Sequence, residues 1–153
     1  MSAHSSRRVV TGLDGEGKSC ILIDGPVARL GPTTGLAWFT EAVPADNSGH
    51  TDSAGQPFSM AMLQDGGTTF LVAEHAAGAG REPYWHAIDA IAYVVVLKGE
   101  MVLALETGEV RVKTGDCIVN RGVIHDWRND APEPAVMAVV TIPAHPVGAG
   151  RTV

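Results

Sequence analysis

Nine short runs rich in β-branched and apolar residues recur along this chain, and turn-forming residues punctuate them densely. The runs are RRVVTG, SCILID, GLAWF, TTFLVAEH, AYVVVLKG, EMVLALE, EVRVK, DCIVN and AVMAVVTI. Between and within them lie 18 glycines and 9 prolines. No window of helical length carries an apolar stripe of period 3.6. Alternation of period two is clear instead: Met101, Leu103 and Leu105 alternate with Val102, Ala104 and Glu106. Val110 and Val112 alternate with Arg111 and Lys113 beyond the glycine turn ETGE. Many short strands with turn signals between them predict an all-β sandwich or barrel. A length of 153 residues suits one domain, 1–153. Within it, 1–67 reads as N-terminal strands plus a loop, and 68–143 as the barrel core.

Charge narrows the function. Lysine and arginine total 11 against 17 acids, a net charge of -6. A nucleic-acid surface needs a basic stripe, and an anionic membrane surface needs a basic patch; neither is expected here. No apolar stretch approaches bilayer length, and no apolar signal core follows the two arginines of MSAHSSRRVV, so a cytoplasmic location is expected. Cys20 and Cys117 form no close pair and read as small apolar strand residues.

The stretch GLDGEGKS, Gly12 to Ser19, fits the phosphate-binding pattern G-x-x-x-x-G-K-[S/T] letter by letter. That loop works only when a helix starts at the lysine and its amides face the phosphates. Here Lys18 leads into the β-type run SCILI, and Asp14 and Glu16 bring negative charge into the would-be cradle. The stretch therefore predicts a turn between two strands and no nucleotide partner.

Of six histidines, His4, His50 and His145 lie near the termini or in the polar loop around PADNSG, and read as surface residues. His75, His86 and His125 fall at or near strand ends and are the candidates for chemistry. Around the last two, Trp85 to Asn129 resembles a cupin domain. Gly115, Gly122, His125 and Asn129 match the second cupin motif, with Asn120 at its proline position and one residue fewer after Gly115. His86 and Gly99 match the ends of the first motif. Ile88 stands where that motif has a second histidine, and Ala92 where it has a glutamate.

The resemblance implies a mostly antiparallel jelly-roll barrel, a central cavity with both motif histidines directed into it, and a homodimer joined through N-terminal strands. It also implies a divalent transition metal in the intact motif. This chain keeps two of four ligands, and a catalytic metal usually has three protein ligands plus water. Glu74, His75 and Asp89 are candidates for a third. The cofactor is thus none or a single divalent metal, the metal-free form being favoured. Ile88, Ala92, Met101 and Trp127 could line an apolar cavity, with Met60 and Met62 facing the same space, or simply fill the barrel as core. Arg121 could hold a carboxylate at the mouth, or pair on the surface with Asp116 or Asp126. Tyr93, alternating with Ala92, faces the other way.

Two functions follow. One is an enzyme on a small organic ligand, a lyase, isomerase or decarboxylase using His86 and His125 as acid and base, or an oxygenase if metal binds. The other is a non-catalytic carrier or sensor for a small hydrophobic ligand. Fold alone does not choose.

Overall fold

The computed structural model describes residues 2–55, 57, 59, 61–64, 67–78 and 81–153. The strands are β1 (Arg7–Leu13), β2 (Ser19–Pro26), β3 (Ala28–Arg29), β4 (Thr34–Thr40), β5 (Thr68–His75), β6 (Ala90–Lys98), β7 (Glu100–Leu105), β8 (Gly108–Lys113), β9 (Cys117–Asn120), β10 (His125–Arg128) and β11 (Ala135–Pro143). A four-residue helix, Ala61–Gln64, precedes β5. Three sheets result, every pairing antiparallel. The large one has order β3-β4-β5-β11-β6-β9, the small one β10-β7-β8, and β1 and β2 pair with each other.

The barrel core lies between the large and small sheets. Val94 and Val96 of β6, Ala135 and Met137 of β11, and Met101 and Val112 from the small sheet form one buried cluster. Cross-strand partners point to the same face of a sheet, which explains the selection. Val94 opposes Val139, and Val96 opposes Met137, so these four look inward together. Tyr93, Val95 and Leu97 take the other parity and are exposed. Inward-facing Thr69 and Thr141 are both buried and satisfy each other through their hydroxyls. The opposite face of the large sheet is also covered: Ala3, Val27, Ala37, Val72 and Val136 form a second cluster there. Sheets buried on both faces read as near-continuous apolar runs, as AVMAVVTI does.

GLDGEGKS is a hairpin turn. The Asp14 carboxylate accepts the amides of Glu16 and Lys18, each at 2.9 Å. Lys18 pairs with Glu16 at 2.6 Å. The amides that a phosphate would need are spent on an aspartate, and a strand, not a helix, follows. The hairpin is tied down by Arg8, which bonds the Ala37 carbonyl at 3.1 Å and forms an ion pair with Asp52. Beneath it runs a groove of about 880 Å³ bordered by Val10, Leu22, Trp38 and Phe70. No helix of the described residues is long and apolar enough to cross a membrane.

Candidate functional site

His86 and His125 meet at one rung of backbone. The His86 amide donates to the His125 carbonyl at 3.1 Å, and the His125 amide donates to the His86 carbonyl at 3.0 Å. Directly opposed residues share a face, so both rings project together. Their centroids are 4.4 Å apart at an interplanar angle of 46°. Trp127, two residues along β10, presents its edge to His125 at 6.5 Å and packs against the barrel core. Tyr84 stacks on His86 at 4.9 Å. An aromatic row Tyr84–His86–His125–Trp127 therefore runs from the exposed lip toward the core.

Each imidazole is fixed in one tautomer. Nδ1 of His86 lies 3.0 Å from the Tyr84 carbonyl, and Nδ1 of His125 lies 2.8 Å from the Val123 carbonyl. A carbonyl oxygen can only accept, so Nδ1 carries the hydrogen in both rings. In the neutral ring Nε2 is then a bare lone pair. Both histidines offer the same kind of atom: a base, a hydrogen-bond acceptor or a metal ligand.

Burial favours the neutral form of His125. Burial pushes the His125 imidazole below its ordinary value, aided by neighbouring His86, against the raising pull of the Val123 carbonyl and Asp126. His75 is lowered too, by burial first and then by the Arg81 guanidinium, with Asp126 opposing. Both groups are therefore held neutral when folded and take up protons more readily when unfolded. The stability this gives is complete above about pH 6.5, the unfolded value, and is lost as pH falls below it. The melting temperature is expected to drop between about pH 7.5 and about pH 5, and His75→Gln to flatten that drop; an unchanged slope in the variant rejects the assignment.

The segment before His86 is moored by Asp126. This carboxylate is 2% exposed and receives the Arg81 guanidinium and, at 3.3 Å, the Tyr84 amide. Arg81 also bonds the Trp127 carbonyl. Neither Arg81, Tyr84 nor Asp126 emerges from the sequence as a site residue. HDWR is a short polar run, and only its burial against the 81–86 arm shows that Asp126 holds that arm in place. Asn129, the last residue of the second motif, closes the following turn. Its side-chain amide donates to the carbonyls of His75 and Glu133, and its oxygen accepts the Ala131 amide.

The other candidates are distributed as follows. Ala92 packs against the core cluster, and Met101 lies within it at 1% exposed, so the barrel is filled at this level. Ile88 is half-buried and brings no donor atom. Met62 joins a separate cluster with Leu36, Ala54 and Leu71; Met60 lies outside the described residues. Asn120 takes the buried position at the end of β9 and caps the Gly122 amide at 3.0 Å, leaving Arg121 exposed. The acids considered as partners for Arg121 are occupied: Asp126 by Arg81, and Asp116 by the Lys113 amide.

The third-ligand candidates separate. Glu74 opposes Val136 on the outer face of the large sheet, and its carboxylate accepts the Ala3 amide at 3.1 Å. Asp89 accepts the Arg151 amide at 2.9 Å. His75 opposes Ala135, a core residue, so it shares the inward face. No group of three or more His, Cys, Asp or Glu side chains among the described residues is arranged to hold a metal ion. The donor set near His86 and His125 is two imidazoles beside Ile88 and Ala92, which does not match a three-ligand catalytic centre.

None of the three candidate histidines borders the groove under the hairpin. Chemistry-bearing side chains gather at the barrel mouth, and the site is placed there on that ground.

Comparison with known proteins agrees with this architecture. Residues 71–141 match the family model described as "Cupin domain". Phomopsin biosynthesis cluster protein D of Diaporthe leptostromiformis is 33% identical over 118 residues, 73% of this chain and 61% of that protein. Oryzines biosynthesis cluster protein J of Aspergillus oryzae is 40% identical over 70 residues, 44% of this chain and 39% of that protein. The chain thus spans less than two thirds of the length of these curated relatives. Among solved structures, a sugar phosphate isomerase of the cupin superfamily from Silicibacter pomeroyi aligns with a TM-score of 0.43 and 24% identity, covering 50% of this chain and 51% of that one. With its antiparallel sheets packed around one core and its two motif histidines joined on one rung, residues 71–141 of this chain form a cupin domain.

Proposed function

We propose that this chain transforms a small organic molecule by proton transfer at the barrel mouth, with the Nε2 atoms of His86 and His125 as the exchanging sites. The observation that carries this reading is the shared tautomer. Two neutral imidazoles with bare Nε2 atoms, on rings 4.4 Å apart, can take a proton from one atom of a bound molecule and return it to another. The lowered proton affinity of His125 keeps its imidazole in the unprotonated form that a base must have. The imidazolium formed when one ring takes the proton is the acid that returns it, so the cycle begins and ends with both Nε2 atoms bare. This is the chemistry of an isomerase, lyase or decarboxylase. Relatives named for biosynthesis clusters fit an enzyme that tailors small molecules.

The test is solvent exchange. The purified protein, treated with a chelator, is incubated in deuterated buffer with a panel of small hydroxy ketones, enediols and ring diols. Deuterium is expected at the carbon next to a carbonyl in at least one of them. Tight binding without any exchange or turnover supports the carrier or sensor role instead and removes the enzymatic one.

A further inference from the structure

We infer that the His86–His125 pair is a double-acceptor site for an uncharged arene bearing two hydrogen-bond donors on adjacent ring atoms, an aromatic 1,2-diol being the simplest case. The inference deepens the proposed function and rests on that reading of the pair as the working site. It concerns what binds there, and binding can be measured apart from exchange.

Four features converge on this ligand. First, both Nδ1 hydrogens are committed to main-chain carbonyls, so the pair offers two acceptors and no donor while neutral. A ligand that is itself only an acceptor, such as a ketone or an ether, finds no ring partner. Secondly, the two rings hang from one backbone rung with centroids 4.4 Å apart, so both acceptors stand close enough to serve neighbouring donors of one small molecule.

Thirdly, the charges nearest the pair cancel. Arg81 is taken up by Asp126 and the Trp127 carbonyl, and Asp126 by Arg81 and the Tyr84 amide. Arg81 is therefore not free to clamp a carboxylate or phosphate, nor Asp126 to neutralise an ammonium. An uncharged ligand avoids both problems, since burying an unpaired charge is costly. Fourthly, the lip is aromatic. Tyr84 and Trp85 are 56% and 45% exposed, Tyr84 stacks on His86, and Trp127 lies beyond His125. Flat rings are favoured against such surfaces by stacking and edge contacts.

Calorimetric titration of the chelator-treated protein tests this with 1,2-dihydroxybenzene, 2-methoxyphenol, 1,2-dimethoxybenzene and benzene-1,2-dicarboxylate. The diol is expected to bind tightest, the monomethyl ether about tenfold weaker for one lost hydrogen bond, and the dimethyl ether and dicarboxylate below detection. In ¹⁵N spectra of imidazole-labelled protein, the diol is expected to move both Nε2 resonances and leave the Nδ1 resonances in place. His86→Phe keeps a ring at the position and removes one acceptor; it is expected to bind diol and monomethyl ether alike. Equal affinity of wild type for the diol and its dimethyl ether overturns the proposal. So does tighter binding of the dicarboxylate, full diol affinity in His86→Phe, or diol binding that appears only when metal is restored. Because the variant is read by ligand discrimination, loss of folding shows separately as loss of its near-UV circular dichroism, and the wild-type series then decides. Diol binding without solvent exchange sustains this inference and removes the enzymatic reading; exchange on a substrate without adjacent donors does the reverse.

Discussion

Solvent exchange on the responding substrate is expected to fall by roughly 10²–10⁴-fold when His125 is replaced by Gln, the usual range for losing a positioned general base. His86→Gln, which removes the second bare Nε2 of the pair, is expected to lose a comparable factor. The pH profile separates a chemical role from a merely structural one. Wild-type exchange requires His125 neutral, so it rises with pH through the titration of that group, which burial moves below the ordinary imidazole range. His125→Gln is expected to lose that acid limb along with the rate. A variant that keeps the limb, or keeps the rate, places the base elsewhere, and His75 on the inward face is the next residue to replace.

Gly122→Ala is expected to be the most damaging small substitution near the site. Gly122 has φ of 77°, and a Cβ added there sits 2.6 Å from the Ile88 carbonyl oxygen and 3.0 Å from that of Ala90. The left-handed conformation costs an ordinary residue about 1–2 kcal/mol, and the clash is with main chain that cannot rotate away. A total of about 2–4 kcal/mol is expected, read as a lower urea midpoint with an unchanged slope. Gly115→Ala provides the control. Its φ is 95°, but an added Cβ meets nothing within 4 Å, so it carries strain without collision. Equal losses in the two variants reject the collision argument. Movement of the turn away from Ile88 also displaces His125, three residues later, so Gly122→Ala is expected to weaken diol binding more than Gly115→Ala does.

Most strands were legible because alternation and punctuation agree along them. All nine runs lie in strands β1, β2, β4 to β9 and β11. The two strands that escaped are short. Ala28–Arg29 makes only two pairings with β4. His125–Arg128 is more instructive, since its sequence HDWR has three polar residues in four and no alternation to see. It is a strand because Asp126, on one face, is neutralised by Arg81 forty-five residues earlier, while Trp127 on the other meets the core. Long-range neutralisation of that kind leaves no local trace. The histidine spacing was legible for the opposite reason. Gly122 and Asn129 mark the turns on either side of β10, and turn chemistry is local.

GLDGEGKS shows the same rule from the other side. The string carries every letter of a phosphate loop, yet Asp14 claims the amides and β2 begins at Ser19. Composition of a loop says which contacts are available; the element that follows decides where the amides point. At the barrel, Ile88 and Ala92 removed two donors from the first motif, and the substitution was legible. That the remaining two rings share one tautomer was not, since it depends on the Tyr84 and Val123 carbonyls, each two residues upstream of its histidine.

The rung joining His86 to His125 divides the inheritance of selectivity between two kinds of mutation. The placement of the two rings is set by the main chain, through the shared rung and the carbonyl that holds each Nδ1, so exchanging side chains around the mouth leaves it nearly constant. Neighbours such as Tyr84, Trp85 and Trp127 can vary the size and hydrophobicity of what is accepted. The spacing of its polar groups stays fixed until the backbone itself shifts register. A lineage built on this rung can therefore drift widely among ring systems while keeping one invariant demand on the substituents they carry.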